Sequence, residues 1–213
     1  MRIQPMKTAD LFAGIGGIRQ GFEKANFSTA YAEDIDKFCK LTYDLNFKTV
    51  KLKLEDITKL RTKDLPKFDI LLAGFPCQAF SVAGYRKGFE DEKGRGNLFF
   101  DIARILKDLK PTGFMLENVK NLKTHDKKNT FKVISETLRA LGYDFDAKIM
   151  NTMEYGNVPQ NRERIYIVGF RKDLDIFKNF TWPNKKHLAK KAHDLLENPQ
   201  NVDQKYYYND KPP

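Results

Sequence analysis

The chain has 213 residues, of which 41% are hydrophobic, and a formal net charge of +10. That length suits one large domain with or without a tail, and the composition excludes collagen-like and wholly disordered chains. The basic excess fits a polyanionic partner such as nucleic acid, and equally a solvated lysine-rich surface.

No run approaches the roughly 18 apolar residues of a membrane span, and the opening MRIQPMKTADLF lacks a signal-peptide pattern. The two cysteines, Cys39 and Cys77, do not suggest a disulfide framework. A reducing, cytoplasmic setting is expected.

Apolar runs alternate with helical periodicity along the chain. Lys7–Phe12 reads as a strand and Ile15–Ala25 as a helix, with Ile15, Ile18 and Phe22 on its apolar face. A strand follows at Phe27–Ala32. The next helix, Ile35–Leu45, carries Ile35, Phe38, Leu41 and Leu45 on one face, and Cys39 reads as a small buried apolar residue. A short strand region precedes Asp56. Asp69–Ala73 has the apolar run of a strand covered on both sides. Leu98–Leu109 is a helix stopped by Pro111, Gly113–Leu116 a strand, and Thr130–Leu141 a helix ended by Gly142. Asp144–Met150 and Arg164–Phe170 complete the strands.

This alternation predicts an α/β fold, a mostly parallel twisted sheet with helices on both faces. Residues 1–182 form the expected catalytic domain. The lysine-rich and polar stretch 183–213 reads as a less ordered tail.

Three stretches carry chemistry. The glycines of Asp10-Leu-Phe-Ala-Gly-Ile-Gly-Gly17 allow a tight strand-to-helix turn and close approach of a ligand, although the spacing is not that of a dinucleotide fingerprint. The acidic pair Glu33-Asp34 lies where doubly wound folds bind ribose hydroxyls; a helix cap or solvated turn is the alternative for each acid. Cys77, in Gly74-Phe-Pro-Cys-Gln-Ala-Phe-Ser-Val-Ala-Gly84, lies beyond a central strand, at the sheet edge where ligands bind. It is a candidate nucleophile there. Glu117-Asn118 and Arg162 with Arg164 come to the same edge, giving an acid, a thiol and cations for one site. The segment from Ser81 to Gly96 holds glycines at 84, 88, 94 and 96 and basic residues at 86, 87, 93 and 95. It reads as a lid with cations for phosphates, or as an ordinary surface loop. The three histidines and two cysteines show no metal-ligand spacing.

Together DLFAGIGG, GFPCQAFSVAG, ENV and QNRERIY resemble, in order, the motifs of the DNA (cytosine-5) methyltransferase family over residues 6 to 170. The resemblance implies a Rossmann-like S-adenosylmethionine-dependent fold. It also implies methyl transfer to carbon 5 of a flipped cytosine in duplex DNA, through a covalent Cys77 adduct. On the family's pattern Glu117 holds ring nitrogen 3, Asn118 orients it or its loop, Arg164 bonds the ring carbonyl and Arg162 supports the site. S-adenosylmethionine would meet Phe12, Gly14, Gly16, Gly17, Asp34, Ile35, Asp56, Ile57, Pro76 and Leu98. DNA would meet Gln78, Ser81, Arg86, Lys87 and Arg95.

Family members continue into a target-recognition domain and a final motif that this sequence does not show. A second polypeptide supplying them, as in a split enzyme, or a truncated form is therefore expected, in a bacterial restriction–modification setting and nucleoid-associated when bound to DNA. A tRNA cytosine-5 methyltransferase and a catalytically silent cofactor-binding scaffold are the competing readings.

Overall fold

The structure is a computed structural model, and it describes residues 4–76 and 98–207. Seven strands form one sheet: β1 (Lys7–Leu11), β2 (Ser28–Asp34), β3 (Lys53–Leu54), β4 (Ile70–Gly74), β5 (Gly113–Val119), β6 (Tyr143–Asn151) and β7 (Glu163–Arg171), in the order β3-β2-β1-β4-β5-β7-β6. β1 pairs in parallel with β2 and β4, as do β2 with β3 and β4 with β5, whereas β7 runs antiparallel to β5. The order reverses between β1 and β4, and the carboxyl ends at such a switch form a crevice where ligands bind.

The helices are α1 (Gly17–Lys24), α2 (Lys37–Asn46), α3 (Leu98–Leu109) and α4 (Asn129–Ala140). Among the described residues none is long and apolar enough to cross a membrane. By its contacts the chain divides into two units, Met1–Ile149 with Arg164–Thr181, and Met150–Glu163 with Trp182–Pro213. In the second, the stretch beyond Trp182 is tied to a helical turn at Thr152–Tyr155. Lys186 N donates to the Glu154 carbonyl at 2.6 Å and Ala189 N to Asn157 Oδ1 at 2.8 Å.

The apolar runs of β1, β4 and β5 become the core. Leu11, Leu71, Ala73 and Leu116 are fully buried, packed with Phe99, Ile102, Ile105 and Leu106 from α3 and with Ile134 and Leu138 from α4. Burying each large apolar side chain contributes about 1.5–3 kcal/mol.

Two helices depart from the sequence reading. α1 begins at Gly17 rather than Ile15, and its buried residue is Arg19, while Ile15 is exposed in the preceding turn. α2 buries Tyr43 alone, and Ile35, Phe38, Leu41 and Leu45 all face outward, 66–73% exposed. The periodicity marks an apolar face, but it is not the one that meets the sheet. Cys39 on this helix is half-buried rather than buried, its Sγ 3.6 Å from Asp36 Oδ2.

Arg19 explains what holds α2 instead. Its guanidinium donates to Glu23 Oε1, Tyr43 Oη, the Val50 carbonyl and Thr49 Oγ1 at 2.7–3.0 Å. It also lies 4.2 Å from the centre of the Phe47 ring. A buried charge persists only when its donors are satisfied in this way. The same Phe47 ring presses on Gly16, where an added Cβ would come within 2.2 Å of it. Gly16 also has φ +90°, a conformation that residues with a Cβ rarely adopt. Gly16→Ala is therefore expected to destabilise the protein by about 2–5 kcal/mol, read as a lowered denaturant midpoint. An unchanged midpoint would mean that Phe47 moves away freely.

Two buried acids sit beside this cluster. Asp10 is fully buried with neither carboxylate oxygen hydrogen-bonded, and burial, only partly offset by Arg19, pushes its carboxyl up to about 7. Glu33 is pushed up to about 8, again mainly by burial, with Asp34, Glu55 and Asp10 adding repulsion. Both titrate near pH 4 when unfolded, so between roughly pH 4 and 8 the folded state binds more protons. Their contribution thus makes stability fall as pH rises through that window. Glu33→Gln should remove part of the slope, gaining at least about 1 kcal/mol relative to the unaltered chain on going from about pH 5 to about pH 8. Parallel pH–stability curves for the two proteins would contradict this.

Candidate active site

The turn from β1 into α1 uses three left-handed residues, Phe12 (φ 52°), Gly14 (φ 55°) and Gly16 (φ 90°). The carboxyl end of β2 fixes it. Phe12 N donates to Glu33 Oε1 at 3.2 Å, Ala13 N to the Glu33 carbonyl at 3.0 Å, and Gly14 N to Asp34 Oδ2 at 2.8 Å. Asp34 also accepts from Asp36 N at 2.9 Å. A Cβ added at Gly14 or Gly17 would meet nothing within 4 Å, so the space over the turn is open. Open glycine backbone on one side and the partly exposed Asp34 carboxylate on the other suit a ligand that carries positive charge.

The remaining cofactor candidates are spread along this edge. Ile35 is exposed just beyond β2, Pro76 is exposed beyond β4, and Leu98 opens α3, half-buried against the core. Asp56 caps a turn, accepting from Thr58 N at 3.0 Å and Thr58 Oγ1 at 2.7 Å. Ile57 is buried with the core, and its carbonyl accepts from Arg104 at 2.9 Å. Its side chain is therefore not at the surface. Phe12 is partly buried against the same core.

At the middle of the edge β5 runs further than its apolar run suggested and carries Glu117 and Asn118 within the strand. Glu117 lies opposite Gly74 of β4 and Tyr166 of β7. Its Oε1 is 3.1 Å from Arg164 Nε, in an ion pair whose two side chains are each 22% exposed. A shielded pair of this kind is screened less by salt than a surface pair. Asn118 is 2% exposed, and its Nδ2 donates to the Phe75 carbonyl at 2.9 Å while its Oδ1 accepts from Val119 N at 2.8 Å. One amide thus ties the end of β5 to the backbone two residues before Cys77.

Arg162 is exposed and belongs to the second unit, where its carbonyl accepts from Thr152 N at 3.0 Å and its N–H donates to Asn151 Oδ1 at 3.3 Å. Cys77, Gln78, Ser81, Arg86, Lys87 and Arg95, with the rest of the expected lid, lie outside the described residues.

Sequence reasoning missed Arg19. Its signal is its place three residues before Phe22, on the apolar face of the predicted helix.

Comparison with known proteins matches residues 6–212 to the family model for C-5 cytosine-specific DNA methylases. The Type II methyltransferase M.Bsp6I of Bacillus sp. (strain RFL6) is 49% identical over 95% of this chain and 64% of its own length. The Type II methyltransferase M.HhaI of Haemophilus parahaemolyticus is 47% identical over 90% and 57%. This chain therefore spans about three-fifths of the length of these relatives. A crystal structure of a Spodoptera frugiperda DNMT2 variant superposes with TM-score 0.71 at 24% identity, covering 94% of this chain and 61% of that one, and establishes the likeness of fold. With the family model matched over nearly the whole chain, and the strand order and the Glu117-Asn118 strand end in place, the chain belongs to the C-5 cytosine-specific DNA methylase family.

Proposed function

We propose that this chain is the catalytic part of a DNA cytosine-5 methyltransferase, acting on a cytosine turned out of the duplex. The observation that carries the reading is the Glu117–Arg164 pair at the switch-point edge, with Asn118 bonded to the strand end that leads into Pro76-Cys77.

Carbon 5 of cytosine is a poor nucleophile. In the proposed reaction the Cys77 thiolate forms a bond to carbon 6, and the ring becomes an enamine whose carbon 5 can attack an electrophilic methyl. Glu117 bonds the ring at nitrogen 3, and Arg164, fixed against Glu117, faces the ring carbonyl. Asn118 acts through the backbone, holding the Phe75 carbonyl just beyond β4. Loss of the carbon 5 proton then expels Cys77 and restores the ring. Arg162 and the residues Gln78, Ser81, Arg86, Lys87 and Arg95 are assigned to the surroundings of the base and to DNA. A target base inside duplex DNA is inaccessible, so it must leave the stack first.

S-adenosylmethionine supplies the methyl as a sulfonium substituent. The turn at Phe12, Gly14, Gly16 and Gly17, open over Gly14 and Gly17, and the Asp34 carboxylate beside it fit that cation. Asp34 would receive the ribose, and Ile35 and Asp56 the adenine side, with Pro76 and Leu98 closing the inner wall. Ile57 would contribute through its backbone, since its side chain is in the core. Selection of the DNA sequence is assigned to a region beyond the matched stretch, on the same chain or on a second polypeptide. A cytoplasmic bacterial restriction–modification setting goes with this reading.

The test is transfer of labelled methyl from S-adenosylmethionine to mixed-sequence duplex DNA, with tRNA in parallel. The chain is assayed alone and with a candidate recognition polypeptide. Cys77→Ser should lower transfer by about three orders of magnitude or more while cofactor binding persists. Transfer to tRNA alone, or cofactor binding with no transfer under any condition, would overturn the proposal.

A further inference from the structure

Immediately beyond Glu117-Asn118-Val119 the chain makes two short 3-10 turns, Lys120–Lys123 and His125–Lys128, before α4 begins. Their anchors are internal. Leu122 is fully buried, Thr124 N donates to the Asn121 carbonyl at 3.0 Å, and His125 Nδ1 lies 2.7 Å from Oγ1 of the buried Thr130. Pinned at these points, the segment turns Lys123, Lys127 and Lys128 to solvent. None of the three pairs with a carboxylate among the described residues.

The backbone here is unusual. Asp126, Lys127 and Lys128 all take left-handed angles, with φ 47°, 52° and 75°. Three successive non-glycine residues in that region carry a steric cost. Glycine would fit each position without it, yet two of the three are lysine. Strain kept in this way is common at functional sites.

We infer that Lys123, Lys127 and Lys128 form a phosphate-binding rim that grips the backbone of duplex DNA beside the extruded cytosine. This rests on the proposed DNA reading and extends it to residues outside the family motifs. The rim follows directly from the strand that carries Glu117, so it lies on the edge that the base must enter. The phosphates flanking an extruded nucleotide must pass the mouth of the site. Exposed lysines free of carboxylates neutralise phosphates by releasing bound counterions, which makes binding salt-dependent.

The test is equilibrium binding of a labelled mixed-sequence duplex across a salt series, with a folded RNA of tRNA size in parallel. Lys127→Gly with Lys128→Gly should lower the slope of log affinity against log salt by about two. The same pair should raise the melting temperature, because glycine relieves the left-handed strain. Lys127→Gln with Lys128→Gln should lower the slope equally without raising the melting temperature. Lys63→Gln with Lys67→Gln, before β4 at the opposite end of the sheet, should leave the slope near that of the unaltered chain.

An unchanged slope in the glycine pair, an equal fall in the control pair, or a fall seen with the RNA alone would overturn the rim. Failure of the unaltered chain to bind duplex DNA would instead remove the reading on which the rim depends, and the rim with it.

Discussion

The turn from β1 into α1 is organised around one buried cation. Arg19 sits inside α1 at 1% exposure, and four of its five guanidinium N–H groups donate to acceptors while the group lies against the ring of Phe47. Because the desolvated charge must be fully satisfied, the positions of Tyr43, Thr49 and Val50 are dictated together. Phe47, held by the same cation, closes on Gly16. A turn that looks like a local glycine motif is thus held from a loop some thirty residues later in the chain.

A similar economy operates at the middle of the sheet. Parallel pairing of β4 with β5 sets Gly74 opposite Glu117, and antiparallel pairing of β7 brings Arg164 to the end of β5. The ion pair between Glu117 and Arg164 is thus a consequence of strand register. Asn118 alternates to the buried side, where its amide reaches the Phe75 carbonyl. One residue of slip in β5 would exchange the two side chains and lose both interactions.

Much of this could be read from the sequence. The strands of the central core are continuous apolar runs with turn residues at their ends, so β1, β4 and β5 were recognisable, and α3, which combines a strong apolar face with a following proline, was placed to the residue. Of the chemical groups to which the motifs point, Glu117, Asn118 and Arg164 lie at strand ends. α2 was misread for a physical reason. Periodicity reveals that a helix has an apolar face but not which neighbour that face meets, and here a single tyrosine with a buried arginine outcompetes four apolar residues for the sheet. The left-handed run at Asp126–Lys128 was invisible, since no glycine or asparagine marks it. The sequence marks Glu33 as half of an acidic pair, but its burial depends on the turn that folds over it.

The outward apolar stripe of α2 also bears on local motion. A helix that collects little burial energy from its own domain opens at lower cost than the sheet beneath it. α2 is secured by Tyr43, by Lys40 bridging Asp44 and the Leu52 carbonyl, and by the Asp36 cap. Ile35 stands at the root of this helix, so the wall proposed to face adenine is the softest side of the candidate site. A ligand seated there would be opposed by the entropy of ordering α2, and whatever orders the helix beforehand would tighten binding without touching the ligand.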